Sequence, residues 1–278
     1  MLSYQHGFHA GCFADVVKHI TLSHLLSYMT KKEQPLVYID THAGRGQYDL
    51  KHTQSKKTGE AQRGIEAFMA HAADMPKILH PYLRTIQAQN PDGALRYYPG
   101  SPDIALQYLR PQDRAVFCEL HPTEYKHLEA LPSRGQRVFT YHQDGFECLA
   151  ANLPPIERRG LIFIDPSYEQ TKEYRELTLR IQQAYRRFAT GVYCVWYPLI
   201  DRKSHQSMIR ELSMLSPQHL RIEFSMTPMT HKHMYGCGLF VINPPYLLHD
   251  QMKQSLDVLM RYLNPGVSSY ALSCSGEK

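Results

Sequence analysis

The feature that most constrains this chain is a rhythm. Short β-branched and aromatic runs recur, each closing on polar, Gly or Pro residues, and most are separated by helix-like stretches. The runs span 35–40, 115–119, 137–141, 160–165, 191–197, 220–225 and 239–242. Helices are expected near 14–30, 59–71, 76–89, 101–109, 123–130, 145–152, 172–188, 204–215 and 249–262. Such alternation predicts an α/β chain, Rossmann-like, with a seven-stranded, mostly parallel, doubly wound sheet. No run approaches the roughly 18 apolar residues of a membrane span, so no membrane partner is expected. The N-terminus lacks a basic start followed by an apolar core, so the chain is expected to be cytoplasmic.

One interval breaks the rhythm. More than seventy residues separate the first two runs, where one crossover helix would need far fewer. We therefore expect a single domain over 1–278 with a small helical insertion at 48–95. The insertion opens on the polar, basic run Lys51-His-Thr-Gln-Ser-Lys-Lys57, which suits either a solvated loop or contact with a polyanion.

Composition enters as a boundary on partners. A net charge of +5 permits a nucleic-acid partner without demanding one. The six cysteines (12, 118, 148, 194, 237, 274) form no CxxC, and they are expected to be reduced core residues. Sixteen histidines form no HxxxH or HExxH pattern, and His231-Lys-His233 has no Cys or carboxylate beside it, so no metal is expected. No surplus apolar face stands out, which favours a monomer.

The chemistry lies at the strand ends. The first run closes on Asp40 and passes into Thr41-His-Ala-Gly-Arg-Gly46, a loop whose glycines would let backbone approach a nucleotide. The pattern is not a full GxGxxG; it looks like the S-adenosylmethionine loop of Rossmann-type methyltransferases. Glu119, ending the second run, could accept from ribose hydroxyls, and Asp144, after the third, from an adenine amine. Either could instead cap a helix.

After the fourth run comes Asp165-Pro166-Ser167-Tyr168, which resembles the Asp/Asn-Pro-Pro-Tyr/Phe motif of enzymes that methylate exocyclic amines. Adenine N6 is a poor nucleophile because its lone pair is delocalised into the ring. The Asp165 carboxylate and the Pro166 carbonyl would accept its two hydrogens and receive the developing positive charge, while Tyr168 offers a ring for a flipped base. Ser167 departs from the usual second proline. Asn243-Pro-Pro-Tyr246 matches the motif more closely letter by letter. It follows the last run, which in such sheets runs antiparallel, so we read it as a turn facing away from the cofactor crevice.

Taken with Leu2-Ser-Tyr4, Phe8-His-Ala-Gly11, Ala14-Asp-Val16, Lys18-His19, Leu95–Pro102, Glu119-Leu-His-Pro122, Asp144-Gly145-Phe146, Arg158–Leu161, Arg187–Gly191 and Trp196-Tyr-Pro198, the chain resembles the bacterial RlmJ family. These are 23S rRNA adenine-N6 methyltransferases that use S-adenosyl-L-methionine. The resemblance implies cofactor contacts at His19, His42, Ser101, Glu119, Asp144, Gly145 and Asp165, with Asp165 as catalytic acceptor and Tyr4 meeting the RNA. It implies 23S rRNA as partner, naked or in an early assembly intermediate. Blander readings make His19 a helix residue bonded to a nearby carbonyl, and Ser101 a helix N-cap with Pro102 at the first position.

Three competitors remain at this point. A DNA adenine-N6 methyltransferase would use the same four residues. A nicotinamide oxidoreductase would want a fuller glycine loop. A noncatalytic nucleic-acid-binding protein could underlie the use of external DNA sometimes ascribed to the family. If a flipped adenine supplies specificity, a few cations in the N-terminal segment, in 51–57 and at Arg186-Arg187 would suffice to hold phosphates.

Overall fold

The runs that are apolar without alternation form the centre of the sheet, as burial on both faces requires. In the computed structural model, which describes residues 6–52, 58–170, 172–200, 202–229 and 234–275, the strands are β1 (Val37–Asp40), β2 (Gln47–Asp49), β3 (Tyr97–Pro99), β4 (Arg114–Cys118), β5 (Arg137–Tyr141), β6 (Gly160–Ile164), β7 (Val192–Leu199), β8 (His219–Ser225), β9 (Gly236–Ile242) and β10 (Ser269–Cys274). The main sheet has the order β10-β8-β9-β7-β6-β1-β4-β5. Strands β5, β4, β1, β6 and β7 are parallel, and β9 runs antiparallel to both neighbours, β7 and β8. Burial changes outward as this order demands: β1 and β6 are wholly buried, whereas β8 alternates and the edge strand β5 is half exposed.

The sheet has eight strands, not seven. The extra strand is β10, antiparallel to β8 at the edge. Its residues, Ser-Tyr-Ala-Leu-Ser-Cys, are exposed or only half-buried, so no apolar run marks it. Strands β2 and β3 form a separate antiparallel ribbon. Between them, the described residues make short helical turns and the helix His80–Gln89. Their apolar side chains Ile65, Phe68, Tyr82 and Ile86 join the cluster that contains Val16, Val17 and Ile20. The described part of segment 48–95 thus packs into the core on one face of the sheet.

Two layers cover the sheet. Tyr38, Phe117 and Phe163 face the cluster that includes the helix Phe13–Met29, and Ile39, Val116 and Ile162 face the other, which includes the helix Lys172–Arg187. The helix Phe13–Met29 is buried almost all round, and it carries Asp15, Lys18 and His19 inside with it. No described helix is long and apolar enough to cross a membrane.

The cysteine expectation needs correcting. Cys118, ending β4, is disulfide-bonded to Cys148 on the helix Gly145–Asn152, while Cys12, Cys194, Cys237 and Cys274 are free. A separation of 30 residues announces no pair; the packing of that helix on the end of β4 makes it.

Candidate active site

Register brings the site together. Asp40 stands opposite Phe117 of β4 and Phe163 of β6, so the carboxyl ends of β1, β4 and β6 lie side by side where the strand order reverses. That is where open α/β sheets bind ligands. The loop after β1 is stitched to both neighbours: Thr41 N donates to the Phe163 carbonyl at 3.1 Å and Ala43 N to the Cys118 carbonyl at 2.9 Å. A cavity of about 1030 Å³ opens there. His19, His42, Ser101, Glu119, Asp144, Gly145, Asp165, Pro166 and Tyr168 all line it. Tyr4 lies outside the described residues, as do residues 53–57 and His231–His233.

Each side chain has an identifiable anchor. The Glu119 carboxylate accepts from Gly44 N at 2.8 Å and His121 N at 2.7 Å. Burial raises its pKa in spite of those two bonds. Gly44 has φ +62°, a conformation that favours glycine. Asp144 Oδ1 caps the helix Gly145–Asn152 by accepting from Phe146 N and Glu147 N at 2.9 and 3.0 Å. The capping role thus occupies one oxygen, and Oδ2 has no partner among the described residues. At Gly145 a Cβ would stand 1.9 Å from the Thr41 carbonyl. That glycine is required by backbone packing between the two loops.

The two histidines are held uncharged. Burial keeps His19 well below its usual pKa, helped by the Lys18 ammonium. Its Nδ1 pairs with the Tyr98 hydroxyl at 2.8 Å, not with a carbonyl, and its other nitrogen remains for the cavity. Burial pushes His42 down to about 4; its Nδ1 meets Thr41 Oγ1 at 2.8 Å. Ser101 is the first residue of its helix, and Gly100 occupies the cap. Ser101 lies beside the buried Asp40, whose pKa burial pushes up to about 7; the Tyr38 hydroxyl donates to Asp40 Oδ2 at 2.9 Å, and Oδ1 has no described partner.

The residue that sequence reasoning missed is Lys18. Its Nζ lies 2.6 Å from Asp165 Oδ2 and 2.8 Å from Asp15 Oδ1, with the lysine side chain 6% exposed. Burial opposes its charge, but the two carboxylates hold its pKa well above the usual value. Asp15 in turn accepts from Gly11 N at 2.9 Å and pairs with His6 at 2.9 Å. Burial alone would raise Asp15; His6 and Lys18 hold it well below the usual carboxylate range. A signal was present: charges three residues apart inside the apolar stretch Ala14-Asp-Val-Val-Lys-His-Ile20 must find partners if the helix is buried.

The turn after β6 completes the wall. Pro166 is buried and Ser167 exposed. The Pro166 carbonyl accepts no hydrogen bond from any described backbone group. Tyr168 adopts φ +52°, which costs a non-glycine residue about 1–2 kcal/mol. Its hydroxyl is tied to the Trp196 carbonyl at 2.6 Å, and its ring packs 4.5 Å from Tyr174 and 6.0 Å from Trp196. The ring is thereby fixed at the cavity wall. No group of three or more His, Cys, Asp or Glu suited to a metal ion occurs among the described residues.

An open sheet with a reversed strand between β7 and β8, acidic strand ends around one cavity and an Asp-Pro-Ser-Tyr turn on its wall define a Rossmann-like methyltransferase. The comparisons narrow the class. The model of a family described as "Ribosomal RNA large subunit methyltransferase D, RlmJ" matches residues 33–274. The chain belongs to this RlmJ family of ribosomal RNA large subunit methyltransferases. It is 41% identical over 273 residues to the "Ribosomal RNA large subunit methyltransferase J" of Escherichia coli (strain K12), covering 98% of this chain and 97% of the relative. To the protein of the same name from Haemophilus influenzae it is 41% identical over 276 residues, covering 98% of each. A crystal structure of a Legionella pneumophila protein superposes with a TM-score of 0.93 at 45% identity, covering 97% of this chain and 99% of that one.

Proposed function

We propose that this protein transfers a methyl group from S-adenosyl-L-methionine to N6 of an adenine in 23S rRNA. The observation that carries the reading is the meeting of Glu119, Asp144 and Asp165 on one cavity beside the Pro166 carbonyl, which accepts no hydrogen bond from any described backbone group. The whole chain, 1–278, is then one methyltransferase domain with 48–95 as its insertion. Rival DNA and noncatalytic readings have no observation of their own in their favour.

The residues suit the cofactor. Glu119 has both oxygens oriented by backbone N–H groups and lone pairs left for ribose hydroxyls. The second oxygen of Asp144 takes the adenine amine, and the uncharged His19 and His42 bring no positive charge against a sulfonium. Gly145 and Ser101 hold the loop walls. The cofactor, when bound, supplies an activated methyl group on sulfur.

Everything else falls to the protein. Asp165 Oδ1 and the Pro166 carbonyl accept the two N6 hydrogens of a flipped adenine, Tyr168 supports its ring, and Tyr4 meets the RNA. As N6 becomes tetrahedral its charge develops against the carboxylate, and the surplus proton leaves through Asp165. Lys18 holds Asp165 by Oδ2 only, so the other oxygen stays available. With Asp15 ionised, the three groups carry a net charge of about −1, which favours the cationic transition state; preorganised partners of this kind are worth about 10²–10³ in rate.

The test is transfer of labelled methyl from S-adenosyl-L-methionine to unmodified 23S rRNA, isolated ribosomal subunits, duplex DNA and adenosine, followed by digestion to nucleosides. Label in N6-methyladenosine from rRNA is expected. Label confined to DNA, or on another base, would overturn the proposal.

A further inference from the structure

The helix Lys172–Arg187 begins four residues after Tyr168, and Glu173, Glu176 and Leu177 of its first turns line the cavity mouth. Its buried stripe is Tyr174, Leu177, Thr178, Ile181 and Ala184. At 100° per residue, Lys172, Arg175, Leu179, Gln183 and Arg186 then share an outward strip about 80° wide. All five are exposed, Leu179 by 47%.

The strip holds three cations; Glu176, about 20° beyond its edge and 56% exposed, shares the surface with Lys172, Arg175 and Leu179. Glu173 is half-buried, and Glu176 is bridged to Arg180 at 3.6 Å. Lys172, Arg175 and Arg186 form no ion pair among the described residues. Arg187 points off the strip and donates one N–H to the Ala150 carbonyl at 2.6 Å, whereas Arg186 lies within it. From Lys172 to Arg186 the row extends about 21 Å along the axis, away from the mouth where the target base must enter. An exposed leucine between the cations gives a sugar or base an apolar place to rest.

We propose that this strip is the phosphate track for the RNA strand flanking the target adenine, with Lys172, Arg175 and Arg186 as its contacts. The proposal rests on the rRNA methyltransferase reading. Phosphate contacts set register without reading sequence, which suits a site whose selectivity resides in the pocket.

The test is the triple variant Lys172→Gln, Arg175→Gln, Arg186→Gln beside a control that removes three exposed charges elsewhere, Lys32→Gln, Lys126→Gln, Lys253→Gln. Binding of an in vitro transcribed 23S rRNA fragment is measured from about 50 to 200 mM salt, with S-adenosylhomocysteine affinity measured separately. The strip variant should lose about tenfold or more in RNA affinity, and its salt slope should flatten by about 2–3. Its cofactor-product affinity should stay within about twofold. Unchanged RNA affinity and slope, or an equal loss in the control, would overturn the track. Wild-type transfer to the same RNA is measured alongside. Its absence refutes the methyltransferase reading itself, whereas intact transfer with unaltered strip-variant binding refutes the track alone.

Discussion

Two turns in this protein carry nearly the same four letters and sit at opposite ends of the sheet's strands, on β6 and β9, with β7 between them. Asp165–Tyr168 follows the parallel strand β6, and Asn243–Tyr246 follows β9, which runs the other way. Each contains one residue with positive φ, Tyr168 at +52° and Asn243 at +54°. Their surroundings differ in kind. Asp165 has a carboxylate oxygen left for the cavity, and Tyr168 is 8% exposed; Tyr246 is 90% exposed and faces no described cavity. The Asn243 amide is used up by the fold, donating to the Ala189 and Gly191 carbonyls at 2.8 Å each and accepting from Ser216 Oγ at 3.0 Å. Strand direction, more than the letters of a motif, decides which turn can do chemistry.

The largest contrast is expected when each turn loses its first residue. Asp165→Ala should reduce methyl transfer by about 10³-fold, with S-adenosylhomocysteine affinity within a few-fold. Asn243→Ala should leave turnover per folded molecule within about twofold but lower stability by about 1–3 kcal/mol, since the Gly191 carbonyl and the buried Ser216 hydroxyl lose their partner. Turnover and thermal unfolding of the two variants decide it. Near-normal transfer by Asp165→Ala, or abolished transfer by a folded Asn243→Ala, would reverse the assignment.

A smaller but sharper test addresses Lys18, for which the β9 turn has no counterpart. Lys18→Met leaves Asp15 and Asp165 without their shared cation, and an uncompensated buried charge costs about 3–5 kcal/mol. Transfer should fall by about 10–100-fold and Tm should drop, with Lys18→Arg restoring part of each. Turnover within about threefold of wild type for Lys18→Met would show that the ammonium only holds the helix in place.

Much of this contrast was legible in the sequence. Strand ends are punctuated by the residues that line the cavity, so Glu119, Asp144 and Asp165 could be found from position alone, and the direction of β9 followed from the expected strand order. The partners of those residues could not. Lys18 reaches Asp165 across 147 positions, and the pairing depends on how the helix Phe13–Met29 lies over the strand ends. Cys118 and Cys148 are joined by the same kind of tertiary packing. Strand β10 was hidden because its register with β8 comes from backbone pairing, while Tyr270, Leu272 and Cys274 meet the core only half-buried among small and polar neighbours.

The two ends of the sheet should also differ in their response to pH. Asp40 is fully buried with its pKa pushed up to about 7 from an ordinary 3.8. The unfolded chain releases that proton near 3.8 and the folded chain only near 7. The stability tied to the group is therefore complete at low pH and lost as pH rises through this window. His42, pushed down to about 4 by burial, acts in the opposite sense, losing its contribution as pH falls from about 6.5 towards 4. Relative to wild type, Asp40→Asn should gain up to about 4 kcal/mol between pH 4 and 7 and nothing further above. The Asn243→Ala difference should stay flat across the same range, because no charge is involved. Denaturant unfolding at four or five pH values tests both, and a pH-independent Asp40→Asn difference would refute the assigned burial effect.

The smallest effect is expected at the one position where the proposed catalytic turn departs from its motif and the turn after β9 does not. Ser167 is exposed, and neither proposed acceptor belongs to it. A second proline would chiefly narrow the unfolded chain's freedom, worth about 0.4–1 kcal/mol where the backbone is compatible. The strained Tyr168 is already fixed by its bond to the Trp196 carbonyl, so the ring does not depend on a proline before it. Ser167→Pro should therefore turn over RNA at the wild-type rate or slightly faster, with a Tm equal or marginally higher. A large loss of activity in a folded variant would mean that position 167 requires a backbone angle proline cannot adopt, and that the resemblance between the two turns ends at their letters.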